Sequence, residues 1–117
     1  MHAITDALLG AAALGDIGEM FPNTDVANRG RDSAEMLGLA SQRVREAGFE
    51  IVNVDCIVFA EQPKLSPWKG WIRERIAQIL QIAIGQVGVK AKTGEGLGTV
   101  GREEAIMAQC VALLERN

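Results

Sequence analysis

Phe49–Ala60 reads FEIVNVDCIVFA, a run of β-branched and aromatic residues bounded by Gly48 and by the turn residues Glu61-Gln62-Pro63. That composition and those borders predict a β-strand, and the nearly continuous apolar character towards Ala60 predicts burial on both faces. Upstream, Met36, Leu37, Leu39, Ala40 and Val44 recur at helical spacing from Asp32 or Ser33, either of which can cap, to about Glu46. Gly48 ends that helix. Downstream, Pro63 and Pro67 bracket a rigid loop, and Ser66 at N-cap with Pro67 at N1 predicts a third helix to about Ile82. Its inner face is assigned to Trp68, Trp71, Ile72, Ile76, Ile79 and Leu80, with Lys69, Arg73, Glu74 and Arg75 in solvent.

Further out, Val87, Val89 and Ala91 alternate with Gly88, Lys90 and Lys92, which predicts a strand over 87–93. The last segment, Glu104 to Glu115, is ambiguous. Propensity favours a helix, while Ile106, Ala108, Cys110, Ala112 and Leu114 also fit an alternating strand. The first segment reads as a helix from His2 to about Leu14, ended by Gly15, with no capping side chain before it. Residues 15–31 form a long polar loop with no period, and loops of that length in compact domains are functional or disordered. The order is αα-β-α-β followed by the ambiguous segment, which predicts an α/β fold with a partly parallel sheet.

The chain has 117 residues, 48% hydrophobic and 23% charged, with formal net charge −3. That suits one soluble domain with its own core and supplies no basic field for nucleic acid or an anionic membrane surface. The apolar run Ala7 to Leu14 is far short of the roughly 20 residues needed to span a bilayer, and no signal-peptide pattern precedes it. Cys56 and Cys110 lack zinc-site spacing and read as two buried free thiols, placing the protein in the cytoplasm by default.

Four stretches could carry chemistry. His2 and Asp6 lie four apart and share a helix face, as a metal-ligating imidazole and an orienting carboxylate would. One ligand does not make a zinc site, which needs three or four donors. Asp16 and Asp25, in a loop with Gly18, Phe21 and Pro22, can accept sugar hydroxyls, hold a divalent cation or simply be solvated. Lys64 between two prolines suits a phosphate or a base edge, or is a surface turn. Gly96 to Gly101 matches GxGxxG, but the 16 residues after Gly101 cannot complete a dinucleotide-binding βαβ unit. Exposed backbone amides there, with Lys92, Thr93 and Arg102, suit phosphate oxygens.

The stretches HAITDALLGAAALGDIGEMFPNTD, NVD, AEQPKLSP, VKAKTGEGLG and GRE occur in an order and spacing that resembles the 2-C-methyl-D-erythritol 2,4-cyclodiphosphate synthase family of the non-mevalonate isoprenoid pathway. The resemblance implies an α/β subunit, a mixed β-sheet with helices packed on one face, of a homotrimer with active sites between subunits. It implies a lyase that converts 4-diphosphocytidyl-2-C-methyl-D-erythritol 2-phosphate to the 2,4-cyclodiphosphate and CMP. Zinc and a second divalent cation, magnesium or manganese, would serve the diphosphate. By the same resemblance His2 is a zinc ligand. Asp16, Ile17 and Gly18, with Phe21, Pro22, Asn23, Thr24 and Asp25, hold the methylerythritol phosphate part. Ala60, Glu61, Gln62, Pro63, Lys64, Leu65 and Ser66 form the cytosine-binding loop. Lys92, Thr93, Gly94 and Glu95 meet ribose and phosphates, with Thr93 the catalytic, transition-state-stabilising threonine. Thr99 and Arg102 complete the set, Arg102 on phosphate, and the final segment becomes a strand.

The sequence departs from the family pattern at Asn23, where aspartate is usual, at Gly94, where a hydroxyl residue is common, and at Thr99, where phenylalanine is frequent. The Trp68-Lys69-Gly70-Trp71 stretch is atypical too. The family's DxH and HSD segments have no counterpart here, so residues 1–117 are expected to be one N-terminally truncated domain. An alternative expectation follows, a non-catalytic trimeric remnant that binds cytidine nucleotides.

Overall fold

The computed structural model describes residues 1–62 and 64–117. Strand β1 (Phe49–Phe59) lies between β2 (Val87–Lys92) and β3 (Met107–Arg116). It pairs with β2 in parallel, Val54 opposite Val87, and with β3 antiparallel, Cys56 opposite Cys110. The parallel pair is joined through a helix, as such a crossover requires. The sheet is therefore mixed. The final segment is a strand, as the resemblance implied, and propensity is overruled because β1 offers it a full ladder of backbone partners.

Three helices cover one face: α1 (His2–Ala11), α3 (Ser33–Glu46) and α4 (Lys69–Leu80). Ile4, Leu8, Leu37, Val44, Ile76 and Leu80 meet Ile51, Val54, Cys56 and Val87 in one core. Residues alternate across a strand, so Asp55, Ile57, Lys90, Val111 and Leu113 lie on the opposite face. There Val111 is 73% and Leu113 55% exposed, and the Lys90 Nζ to Asp55 Oδ2 ion pair (2.8 Å) is the polar part of the surface. Among the described residues no helix is long and apolar enough to cross a membrane.

Local chemistry sets the boundaries. Asp32 caps α3 by accepting a hydrogen bond from Ala34 N, and Gly48, at φ 96°, closes its end. Helix α1 stops at Ala11 rather than Leu14. Ala13 takes the left-handed conformation (φ 57°), and Leu14 N–H reaches back to Leu9 O at 2.8 Å, laying Leu14 on the core. The 15–31 loop is less irregular than its composition suggests, holding a four-residue helix, α2 (Ile17–Met20), and a 3-10 turn at Val26–Asn28. A bulge falls between Ile51 and Asn53 on β1, and the Gln86 amide donates to the carbonyls of both Ile51 and Val52. That answers two acceptors β2 begins too late to meet.

The third helix differs most from expectation. A 3-10 turn (Ser66–Trp68) precedes α4, and Ser66 makes no capping bond. Trp68 and Trp71 are 58% and 67% exposed instead of lining the inner face. Trp68 precedes α4 and Trp71 lies in its first turn, while Ile72, Ile76, Ala77 and Leu80 reach the core. Arg73 is not left in solvent. Its guanidinium donates to Val87 O (2.8 Å) and Ile84 O (3.1 Å), tying α4 to the start of β2.

Leu80 is fully buried, so Leu80→Ala should lower unfolding stability by about 2 to 5 kcal/mol. Val26→Ala, at a site 74% exposed, should stay within about 0.5 kcal/mol. Urea denaturation of both variants checks this, and equal midpoints would contradict the assigned core.

Candidate functional site

Because β1 and β2 are parallel, the loops leaving them emerge side by side at their carboxyl ends, where open α/β sheets bind ligands. Ala60 N–H bonds to Lys92 O at 2.9 Å, carrying the ladder one residue past β1 and aligning the two exits. Between them lies a cleft of about 410 Å³ lined by Val58, Ala60, Glu61, Lys64, Leu65, Ser66, Pro67, Ala91, Lys92 and Thr93. Two segments separated in the chain by the whole of α4 thus face one space. Pro63 lies outside the described residues. Val58, Pro67 and Ala91 were not singled out from sequence; the strand alternation carried to its ends would have found Val58 and Ala91.

The cleft is apolar in its floor and cationic at its edge. Val58, Leu65, Pro67 and Ala91 supply apolar surface, and Lys64 and Lys92 supply two ammonium groups beside the Glu61 carboxylate. Thr93 Oγ1 accepts from Glu95 N at 3.2 Å, so its own proton stays free to donate. Glu61 Oε1 accepts from Gly96 N at 3.1 Å, joining the Ala60–Ser66 loop to the glycine-rich loop.

Beyond Thr93 the backbone folds tightly on itself into the short helix α5 (Gly98–Gly101). A Cβ on Gly94 would stand 2.5 Å from Gly101 N and 2.9 Å from Leu97 O, and one on Gly101 would run into the Gly96 backbone. Glycine is needed at both positions because backbone packs on backbone. Thr99 is exposed, and the Arg102 guanidinium is paired with Glu104 at 2.8 and 3.3 Å.

The other expected site residues lie off this cleft. His2 is exposed at the start of α1. Asp6 Oδ1 accepts from Ile17 N at 2.7 Å, fastening α2 to α1. Asp16 caps α2 by accepting from Glu19 N (2.8 Å), and Asp25 accepts from Ala27 N (3.0 Å). Ile17 is half-buried and Gly18 exposed. Phe21 is buried beneath the Arg31 guanidinium, 5.4 Å from its ring centre, and anchors the exposed Pro22, Asn23, Thr24 and Asp25. Among the described residues, no three His, Cys, Asp or Glu side chains converge on a point that could hold a metal ion.

The YgbB family model matches residues 1–115. Over 117 residues the chain is 52% identical to the 2-C-methyl-D-erythritol 2,4-cyclodiphosphate synthase of Rhodopirellula baltica, covering all of this chain and 70% of the relative. The chain belongs to the 2-C-methyl-D-erythritol 2,4-cyclodiphosphate synthase family. Solved structures agree with the membership. The bifunctional IspDF from Campylobacter jejuni superposes with TM-score 0.95 at 42% identity, over 99% of this chain and 31% of that one. The Plasmodium falciparum IspF complex with CDP gives TM-score 0.86 at 36% identity, over 98% of this chain and 69% of that one. For the synthase family the mixed sheet with helices on it is thus the shared fold.

Gly101→Ala should loosen the 94–101 loop by about 1 to 3 kcal/mol. Amide exchange at Gly96 to Gly101 should quicken while protection in β1 and β3 stays unchanged. Unaltered exchange in the loop would contradict the close backbone contact.

Proposed function

We propose that the protein acts in the cytoplasm as a homotrimeric phosphorus–oxygen lyase of isoprenoid biosynthesis, converting 4-diphosphocytidyl-2-C-methyl-D-erythritol 2-phosphate to 2-C-methyl-D-erythritol 2,4-cyclodiphosphate and CMP. The observation that carries this is the gathering of Lys64, Leu65, Ser66, Lys92 and Thr93 around one cleft, in a family with a solved member in complex with CDP. Relatives bearing the synthase name across this whole chain support the catalytic reading over a binding remnant.

In this proposal Ala60 to Ser66 receives the cytosine, and the lysines at the cleft edge neutralise the diphosphate. The substrate's 2-phosphate oxygen forms a bond to the β-phosphorus. The bond from that phosphorus to the bridging oxygen breaks, and the oxygen leaves with CMP. There is little covalent chemistry for the protein to do, so catalysis rests on positioning and charge neutralisation. Thr93, with its free proton, donates to a phosphoryl oxygen as charge builds. Lys92, the amides around Gly94 and Glu95, and Arg102 once released from Glu104 share that load, with Thr99 alongside. Asp16 to Gly18 and Phe21 to Asp25 hold the methylerythritol phosphate.

His2 is the one described side chain proposed as a zinc ligand. A single imidazole is short of the three or four donors zinc requires, so these residues do not make a metal site by themselves. Zinc, and the magnesium or manganese expected beside it, would add charge neutralisation at the diphosphate when bound. Two features support the trimer with sites between subunits. The sheet face opposite the helices leaves Met107, Val111 and Leu113 exposed, each at 50% or more. The site residues also divide into two groups, Asp16–Asp25 and the cleft, which a neighbouring subunit would reunite.

The full reading frame that contains this chain, supplied with zinc and magnesium, should release CMP from the cytidyl substrate and sediment as three chains. Thr93→Ala should cut kcat by about 100-fold or more with a smaller change in KM. Absence of CMP above background, or a monomer, would contradict the proposal.

A further inference from the structure

The antiparallel register sets Cys56 of β1 directly opposite Cys110 of β3. Residues so paired have Cα atoms about 4.5 to 5.5 Å apart, inside the range a disulfide spans. Both thiols are free, and their sulfurs are 3.1 Å apart. Both lie on the helix-covered side of the sheet, away from the Asp55–Lys90 and Val111–Leu113 face. Cys56 is buried yet lines a small apolar cleft of about 110 Å³ beside Ile4, Val58, Ile72 and Gln109. A water molecule takes about 30 Å³, so a molecule of peroxide size fits there.

We propose that Cys56 and Cys110 form a reversible dithiol–disulfide modification site, oxidised by hydrogen peroxide, that staples β1 to β3. The hydrogen bond to Cys110 holds the Cys56 thiol below its ordinary value and raises that of Cys110, which makes Cys56 the attacking thiolate. Its sulfur takes one peroxide oxygen, the O–O bond breaks, and hydroxide leaves to become water. The resulting sulfenic acid is attacked by the Cys110 sulfur, an S–S bond forms, and the hydroxyl departs as a second water. Two thiols are oxidised by two electrons, and one peroxide is reduced to two waters. The bond closes a loop between residues 54 apart. It ties the central strand, four residues before the Ala60 loop, to its antiparallel neighbour.

The folded chain is treated with hydrogen peroxide, remaining thiols are alkylated, and the digest is weighed by mass spectrometry. The expected product is one cross-linked peptide pair joining Cys56 to Cys110, two hydrogens lighter than the separate peptides and restored by dithiothreitol. Oxidation should also raise the urea midpoint, and reduction should return it. In Cys110→Ala the reaction should stop at Cys56, where dimedone traps the sulfenic acid. Two alkylated thiols under peroxide that oxidises a free-thiol peptide would overturn the proposal. Cross-links between chains, or sulfinic acid on either residue of the wild-type protein, would do the same.

Discussion

The structure depends on the double engagement of one strand. β1 is hydrogen-bonded along both edges, parallel to β2 and antiparallel to β3, and every other placement follows from that register. A one-residue slip would turn Val54 and Cys56 out of the core and bring Asp55 into it. The parallel edge needs a crossover, and α4 supplies it, with Arg73 on the Val87 carbonyl tying the helix to the start of β2. The antiparallel edge sets Cys56 against Cys110. The carboxyl end of the parallel pair opens the cleft.

Much of this was legible in the residues. β1, α3 and β2 are long or regular enough for their periods to show, and Asp32 and Gly48 mark the ends of α3 by capping chemistry. The errors share a physical cause. Ala13, Trp68 and Trp71 were read by type or spacing, but tertiary packing decides which turn of a helix meets the sheet. Arg73 was assigned to solvent because nothing local reveals that a distant carbonyl lacks a partner. β3 could be chosen over a helix only by likeness to a family, since its partner strand lies some fifty residues away.

The site was legible as segments and not as a space. Proline around Lys64 and glycine after Thr93 flagged two loops, while their meeting depends on the β1–β2 register. Asp6, read from its spacing to His2, also has a local duty that the spacing did not show, accepting from the Ile17 amide through Oδ1. Glycine at 94 and 101 has a plain steric reason, so the departure from the family's hydroxyl residue at 94 is matched by a loop with no room for a side chain.

A cytidine nucleotide site at the paired carboxyl ends of β1 and β2, as proposed, must respond to ligand at those ends first. Titrating the isotope-labelled protein with CDP and following backbone amide shifts tests it most directly. Saturable shifts should concentrate at Glu61, Lys64, Leu65, Ser66, Lys92 and Thr93, with the core helices unmoved. Shifts absent from those residues at saturating CDP, or confined to another surface, would contradict it.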